Sequence, residues 1–162
     1  MENILNYFSG EKLQCTLGLV ISILFILTSV YFLNTQKSLL NGMAYSILPL
    51  AILLSVVCIG VVIRTPNDIK RVTAFYQEAP DKLKSEELPR MEKVLKSFSL
   101  IKKIEIGIFI LGLILMIIFW KNELVKGIAM GLLIQGVVLY LFDHFAESRA
   151  FDYIEFLKSK IL

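Results

Sequence analysis

The chain has 162 residues, of which 56% are hydrophobic and only 19% are charged, and its net charge is +3. Soluble domains are usually about 45–50% apolar and about 25% charged. Here the apolar residues gather in four blocks whose central positions carry no charge, and the mean hydropathy is +0.71. This composition excludes an ordinary soluble domain and predicts an all-α integral membrane protein, with residues 1–162 forming a single membrane domain.

The four apolar blocks cover approximately residues 15–33, 43–63, 104–120 and 124–145. About 20 apolar residues, each rising 1.5 Å, cross a hydrocarbon core of about 30 Å. We therefore expect four transmembrane helices in two hairpins. The third block is the shortest, and it reaches this length only if Lys102 and Lys103 extend to the lipid headgroups. Buried helices of a soluble bundle are the alternative for any one block, and four blocks in one short chain argue against it.

The distribution of basic residues predicts the orientation of the chain. Fourteen of the 17 lysines and arginines lie before residue 15, in the connection 64–105, or after residue 145. Basic residues are enriched on the cytoplasmic side of membrane proteins. Both termini, a helical connection over residues 64–103 and a tail helix over residues 146–162 are therefore expected to be cytoplasmic, at the inner (plasma) membrane of a bacterium.

The two halves of the chain have the same layout and suggest a parallel internal duplication. A shift of 85 residues places Gly42 and Arg64 on Gly127 and Arg149. In each half, a glycine opens the second span and an arginine follows 22 residues later, which is about 33 Å along a helix. Because both halves start inside, a repeat would be related by an axis along the membrane normal. The alternative is that two unrelated hairpins obey the same sequence rules.

The segments outside the spans also carry helical patterns. Thr65-Pro66 has the character of a helix start and predicts a break after the second span. Met1–Phe8 has an apolar face suited to the bilayer surface. Two apolar stripes at helical spacing predict a small cytoplasmic helical bundle, the alternative being a basic helix on anionic lipid. The stripes are Met91, Val94, Leu95, Phe98 and Ile101, and Phe151, Ile154, Leu157 and Ile161.

One face of the fourth span favours close helix packing. Gly127, Gly131 and Gln135 follow one another at intervals of four residues, so they share a helical face. Glycines at this spacing let two backbones approach closely, and a glutamine can hydrogen-bond across helices. We interpret this face as a helix-packing site, and contact with a substrate is the weaker interpretation.

Polar and charged residues concentrate at the inner end of the fourth span. Two carboxylates and an imidazole at Asp143, His144 and Glu147 are weak candidates for a metal or acid–base site. No second histidine supports a metal, so we favour charge pairing at the membrane interface. The members of this expected charge cluster are Arg64, Glu105, Asp143, Glu147 and Arg149.

These observations favour a non-enzymatic membrane protein that acts by helix–helix association, as a homo-oligomer or as the partner of another membrane protein. A protein that protects against a membrane-directed toxin belongs to this class. An oligomeric transporter or channel is the first alternative, and a membrane enzyme or metal site at the inner end of the fourth span is the second. Cys15 and Cys58 form no Cys-x-x-Cys pair, which argues against disulfide exchange. The sequence indicates no cofactor and no nucleic-acid partner.

Overall fold

A computed structural model describes the backbone of residues 1–161 and the side chains of residues 1–160. Within these residues the chain is helical throughout, apart from short turns, and contains no strand. The helices are α1 (Glu2–Asn34), α2 (Ser38–Glu78), α3 (Leu88–Ile118) and α4 (Glu123–Ile161). A π-helical turn (Leu83–Glu87) precedes α3. The expectation of an all-helical chain is confirmed.

Three of the four helices, α1, α2 and α4, are long and apolar enough to cross a membrane. α3 differs because its uncharged part is short. It runs only from Ile106 to the end of the helix at Ile118, which is about 20 Å at 1.5 Å per residue. The charged residues of α3 closest to this apolar segment are Lys102, Lys103 and Glu105.

α2 continues through the position where we expected a break. The expectation at Thr65-Pro66 is wrong, because α2 is one helix from Ser38 to Glu78 with both Pro49 and Pro66 inside it. The Thr65 hydroxyl donates to the Val61 carbonyl oxygen at 2.7 Å and does not cap a new helix. Proline in a helix interior removes a backbone hydrogen bond. Thr65, which belongs to the same helix, is fully buried, and its packing helps to offset the lost hydrogen bond.

The four helices form two hairpins joined along α2 and α4. α1 packs on α2, α3 packs on α4, and α2 packs on α4, while α1 also touches α4. The Cα atoms of α3 stay beyond 8 Å from those of α1 and α2. We call the end with the turns 35–37 and 119–122 the hairpin end, and the end with both chain termini the terminal end. The bundle is therefore open beside α3.

Two glycines bring α2 and α4 into backbone contact near the hairpin end. A Cβ atom added to Gly42 would overlap the carbonyl oxygen of Leu124, and one added to Gly127 would overlap that of Leu39. The same Cβ atoms would lie 2.9 Å from the Ile128 nitrogen and 3.0 Å from the Met43 nitrogen, respectively. Only residues without a side chain permit this approach. We call this contact the glycine seam.

The glycine seam is reciprocal at an interval of 85 residues, since Leu39 and Met43 correspond to Leu124 and Ile128. Burial follows the same interval along the rest of the two helices. Six of the eight buried positions of α2 have a buried counterpart 85 residues later on α4. The six pairs are Gly42 and Gly127, Ala44 and Ala129, Ser46 and Gly131, Ala51 and Gly136, Thr65 and Ala150, and Val72 and Leu157.

A hydrophobic cluster at the terminal end joins all four helices and the π-helical turn. It contains Ile4, Tyr7 and Phe8 from the start of α1, and Ile4 and Phe8 are fully buried. The expectation that Met1–Phe8 lies on a bilayer surface is therefore wrong. Its apolar residues pack against both stripes noted in the sequence, with Met91, Ile154 and Leu157 among the buried members. Ile161, also assigned to a stripe, has a side chain outside the described residues.

Candidate functional site

The face of α4 that was expected to pack against another helix lies against α2 of the same chain. A Cβ atom at Gly131 would overlap the Ser46 hydroxyl and lie 3.0 Å from the Met43 carbonyl oxygen. The Gln135 side chain, only 2% exposed, donates from Nε2 to the Ile47 carbonyl oxygen at 2.9 Å. The face of Gly127, Gly131 and Gln135 is thus covered within the chain and is closed to a second copy.

The structure divides the expected charge cluster into separate pairs. Lys102 forms an ion pair with Glu147, and this hydrogen bond raises the pKa of Lys102. Arg64 bonds Glu11 on α1 at 2.9 Å. Arg149 donates to the Gln14 side chain, also on α1. These residues do not form one site, because both arginines bind side chains of α1 whereas Glu147 binds Lys102 of α3.

His144 lies apart from the two carboxylates beside it in sequence. Its ring is exposed and stacks on Tyr140, with 6.4 Å between centroids, and contacts Phe145 at 6.0 Å. In the described part of the chain, no three side chains among His, Cys, Asp and Glu are grouped as metal ligands. The geometry therefore offers no support for a metal at Asp143, His144 and Glu147.

Two acidic side chains, Glu105 of α3 and Asp143 of α4, lie close together. The Glu105 side chain is 4% exposed, and it lies within hydrogen-bonding reach of Asp143. One Glu105 carboxyl oxygen, Oε2, is buried without a donor. Glu105 also lines a groove of about 330 Å³ between α3 and α4, together with Phe109, Gly136 and Tyr140 among others.

The most extensive ionic network lies at the terminal end and was not anticipated from the sequence. Glu87, 1% exposed, accepts from Arg90 Nε at 2.8 Å and Nη2 at 2.6 Å, and from the Tyr153 hydroxyl at 3.3 Å. Arg71 Nη2 approaches it at 3.8 Å. Burial opposes the charge of Arg90, but the hydrogen bonds and charge of Glu87 outweigh it and raise the pKa of Arg90. The network joins α2, α3 and α4 and holds the hydrophobic cluster together.

The two cysteines are also neighbours, which the sequence did not indicate. Cys15 on α1 and Cys58 on α2 are both buried and free, and the two thiols are within hydrogen-bonding reach. A Cβ atom at Gly18, three residues after Cys15, would lie 2.8 Å from Cys58 Sγ. Only the register of the α1–α2 hairpin brings residues 43 positions apart together. No local spacing signal marks this pair.

Comparison with protein-family models, curated proteins and solved structures gives no match to this chain. The function must therefore be argued from the chain's own geometry. In that geometry two polar side chains of the apolar region bond a neighbouring helix. Ser55 donates to Ser22 at 2.7 Å between α2 and α1, and Gln135 bonds α2 from α4.

Proposed function

We propose that the protein is a non-enzymatic membrane protein that acts through association of α3 with another membrane helix, in a second copy or in a partner protein. The observation that carries this proposal is the open side of α3. Within the apolar region α3 contacts only α4, and a Cβ atom at Gly107 would meet nothing within 4 Å. Small residues on an open helix surface permit close approach of another helix in a membrane.

The proposal includes four spans with both termini and residues 64–103 in the cytoplasm, at a bacterial inner membrane. The distribution of basic residues supports this orientation. α3 counts as the third span because Lys103, which is exposed next to the Lys102–Glu147 ion pair, can extend to the headgroups. At the hairpin end, Lys126 lies 4.5 Å from the Trp120 ring centroid, and tryptophan is enriched at membrane interfaces.

Labelling from outside the cell tests this orientation. In a cysteine-free background, single cysteines at Gln36 or Asn122 should react with an impermeant thiol reagent in intact cells. Cysteines at Ser85 or Ser159 should react only after the membrane is opened. Labelling of position 85 or 159 in intact cells would overturn the orientation.

We also propose that the two hairpins arose by parallel duplication. The reciprocal glycine seam supports this proposal, because corresponding residues of α2 and α4 meet each other as they would across a two-fold axis along the membrane normal. The repeated burial pattern along both helices supports it independently. Under this symmetry the contact of α1 with α4 corresponds to a contact of α3 with α2. The first contact is present and, among the described residues, the second is absent, so the symmetry is incomplete on the open side of α3.

Crosslinking from α3 tests the proposed association. A photoreactive side chain at position 107 should form a product with a second copy or a partner when illuminated in native membranes. Position 60 is the matched control, because Gly60 is equally open but lies on α2, which already packs against two helices. A specific product from 107 that is absent from 60 supports the proposal. Equal products from both positions, or none from either, would contradict it.

Transport through an oligomer is the second candidate, and the Glu105–Asp143 pair favours it. A buried carboxyl with a free oxygen can bind a proton or a small cation, which transporters require within the bilayer. Glu105→Gln keeps the shape but removes the charge. If the protein transports a cation, this variant should abolish uptake into vesicles while crosslinking from position 107 persists.

A further inference from the structure

Arg149 differs from the other three arginines of the chain in its electrostatic surroundings. Arg64, Arg71 and Arg90 each have a carboxylate oxygen at 2.9 Å or less. Among the described residues, no carboxylate oxygen lies within 4 Å of Arg149. Its Nη2 donates to the neutral Gln14 side chain, and its Nε is buried without an acceptor. Within the described residues, this guanidinium is a positive charge without an ionic partner.

Gly10 allows Arg149 to lie directly across α1. A Cβ atom at position 10 would stand 2.8 Å from the Arg149 Cδ atom and 3.3 Å from Nη1. The arginine stem therefore occupies the space that any other residue at position 10 would fill. Gln14, one turn further along α1, holds the guanidinium in place and also donates to the Phe142 carbonyl oxygen on α4. The charge is thus positioned between α1 and α4.

Two cavities meet at Arg149. One is an apolar groove of about 360 Å³ on the side of the hairpin end, and the other is a more polar pocket of about 290 Å³ on the side of the chain termini. Arg149 lines both. Besides Arg149, Gly10 and Gln14, the groove is lined by Leu13, Leu17, Ile21, Phe142 and Phe145. The residues that line the pocket with Arg149 are Asn3, Asn6, Tyr7, Asp152, Tyr153 and Phe156.

We propose that the groove and the pocket form one binding site for a phospholipid of net negative charge. An acyl chain lies in the groove, which follows α1 from Gly10 to Ile21 over about 16 Å. The phosphate accepts hydrogen bonds from Arg149, whose planar fork of donors suits phosphate oxygens. Basic pockets between membrane helices at the cytoplasmic side bind anionic headgroups. The inference rests on the proposed membrane position of the helices.

The charges around the pocket favour an anionic headgroup over a zwitterionic one. Asp152 is the one acid in its lining, and its side chain is exposed, so a lipid ammonium group would gain little from it. Arg149 is partly buried and gains a full ionic partner from the phosphate. Asn3 and Asn6 can each donate a side-chain amide hydrogen to the headgroup. A lipid of net negative charge therefore compensates a charge that the described part of the chain leaves unpaired.

Lipid retention by the purified full-length protein tests the site. The protein is incubated in detergent with equal amounts of phosphatidylglycerol, phosphatidylethanolamine and phosphatidylcholine, and the bound lipids are measured by native mass spectrometry. We expect phosphatidylglycerol to be retained about fivefold over the other two, the preference that one basic group provides. Arg149→Gln should remove the preference. Arg64→Gln is the matched control, because Arg64 stands 85 residues earlier and already has Glu11, and it should keep the preference.

A second variant separates loss of the site from loss of folding. Leu17 is 55% exposed on the groove wall, so Leu17→Trp should fill the groove without disturbing the helix contacts, and it should lower retention of phosphatidylglycerol. Equal retention of phosphatidylethanolamine, or a preference that survives both Arg149→Gln and Leu17→Trp, would overturn the proposal.

Glycerol 3-phosphate tests the headgroup alone. If it raises the melting temperature as much as phosphatidylglycerol does, the site binds free phosphate instead. Protein that fails to float with phosphatidylcholine vesicles would refute the membrane position as well, whereas floating protein without lipid preference would refute only this site.

Discussion

Replacing Gly127 by alanine is the most direct perturbation of the glycine seam between α2 and α4. The added methyl group would overlap the Leu39 carbonyl oxygen and lie 2.9 Å from its carbonyl carbon. Neither atom can turn aside, because both belong to the backbone of α2. The matched control is Gly60→Ala on the open surface of α2, where the new methyl group meets nothing within 4 Å.

The magnitude of the effect follows from the separation that the methyl group requires. Ordinary van der Waals contact begins near 3.4 Å, so the new methyl group and the Leu39 carbonyl oxygen must move apart by about 1.5 Å. Overpacking of this kind costs about 1–3 kcal/mol. The bond from Gln135 to the Ile47 carbonyl oxygen, 2.9 Å long, would stretch beyond hydrogen-bonding distance, and such bonds contribute about 0.6 kcal/mol on average in a membrane protein. Alanine also gains up to about 1 kcal/mol over glycine in a helix, so we expect a net loss of about 1–3 kcal/mol for Gly127→Ala. Gly60→Ala should be neutral or stabilising by up to about 1 kcal/mol, because alanine favours the helix.

Unfolding of the purified protein in mixed micelles provides the measurement. The reciprocal geometry gives a second test, because Gly42→Ala demands the same separation of α2 and α4. Once one methyl group has moved the helices apart, the second should add little, so the double variant should lose less stability than the sum of the single variants. Stability of Gly127→Ala equal to that of the parent, or strictly additive losses, would refute the close backbone contact.

Three further predictions concern individual polar side chains. Glu87→Leu should lower the unfolding free energy by about 2–3 kcal/mol, because it leaves a partly buried arginine without its carboxylate, while Glu86→Leu on the exposed side should change it little in the same unfolding assay. His144→Gln should leave the melting temperature and crosslinking from position 107 unchanged, and loss of crosslinking at full stability would instead assign a functional role to the imidazole. Mild oxidation with a copper–phenanthroline reagent should join Cys15 to Cys58 within one chain, detected by mass spectrometry after alkylation, and a product only between chains would contradict the hairpin register.

The all-helical character of the chain could be predicted from the sequence because it depends on local patterns. Runs of apolar residues act within a few residues of the chain, so they can be recognised without knowledge of the fold. The same locality explains the failure at Thr65-Pro66. A capping pattern and a proline predict a break locally, but the buried face of α2, which packs against the other helices, keeps the helix continuous.

The partners of the buried side chains depended on the tertiary structure, because they follow from the register between helices. The sequence determined that Gly127, Gly131 and Gln135 share a face, whereas only the fold decided that this face is covered by α2 of the same chain. Likewise, the pairing of Glu87 with Tyr153 joins residues 66 positions apart. A shift of one residue along a helix turns a side chain by about 100°, so small changes in register select different partners. Local pattern fixed which residues can be buried together, and the packing of the two hairpins decided which of them meet.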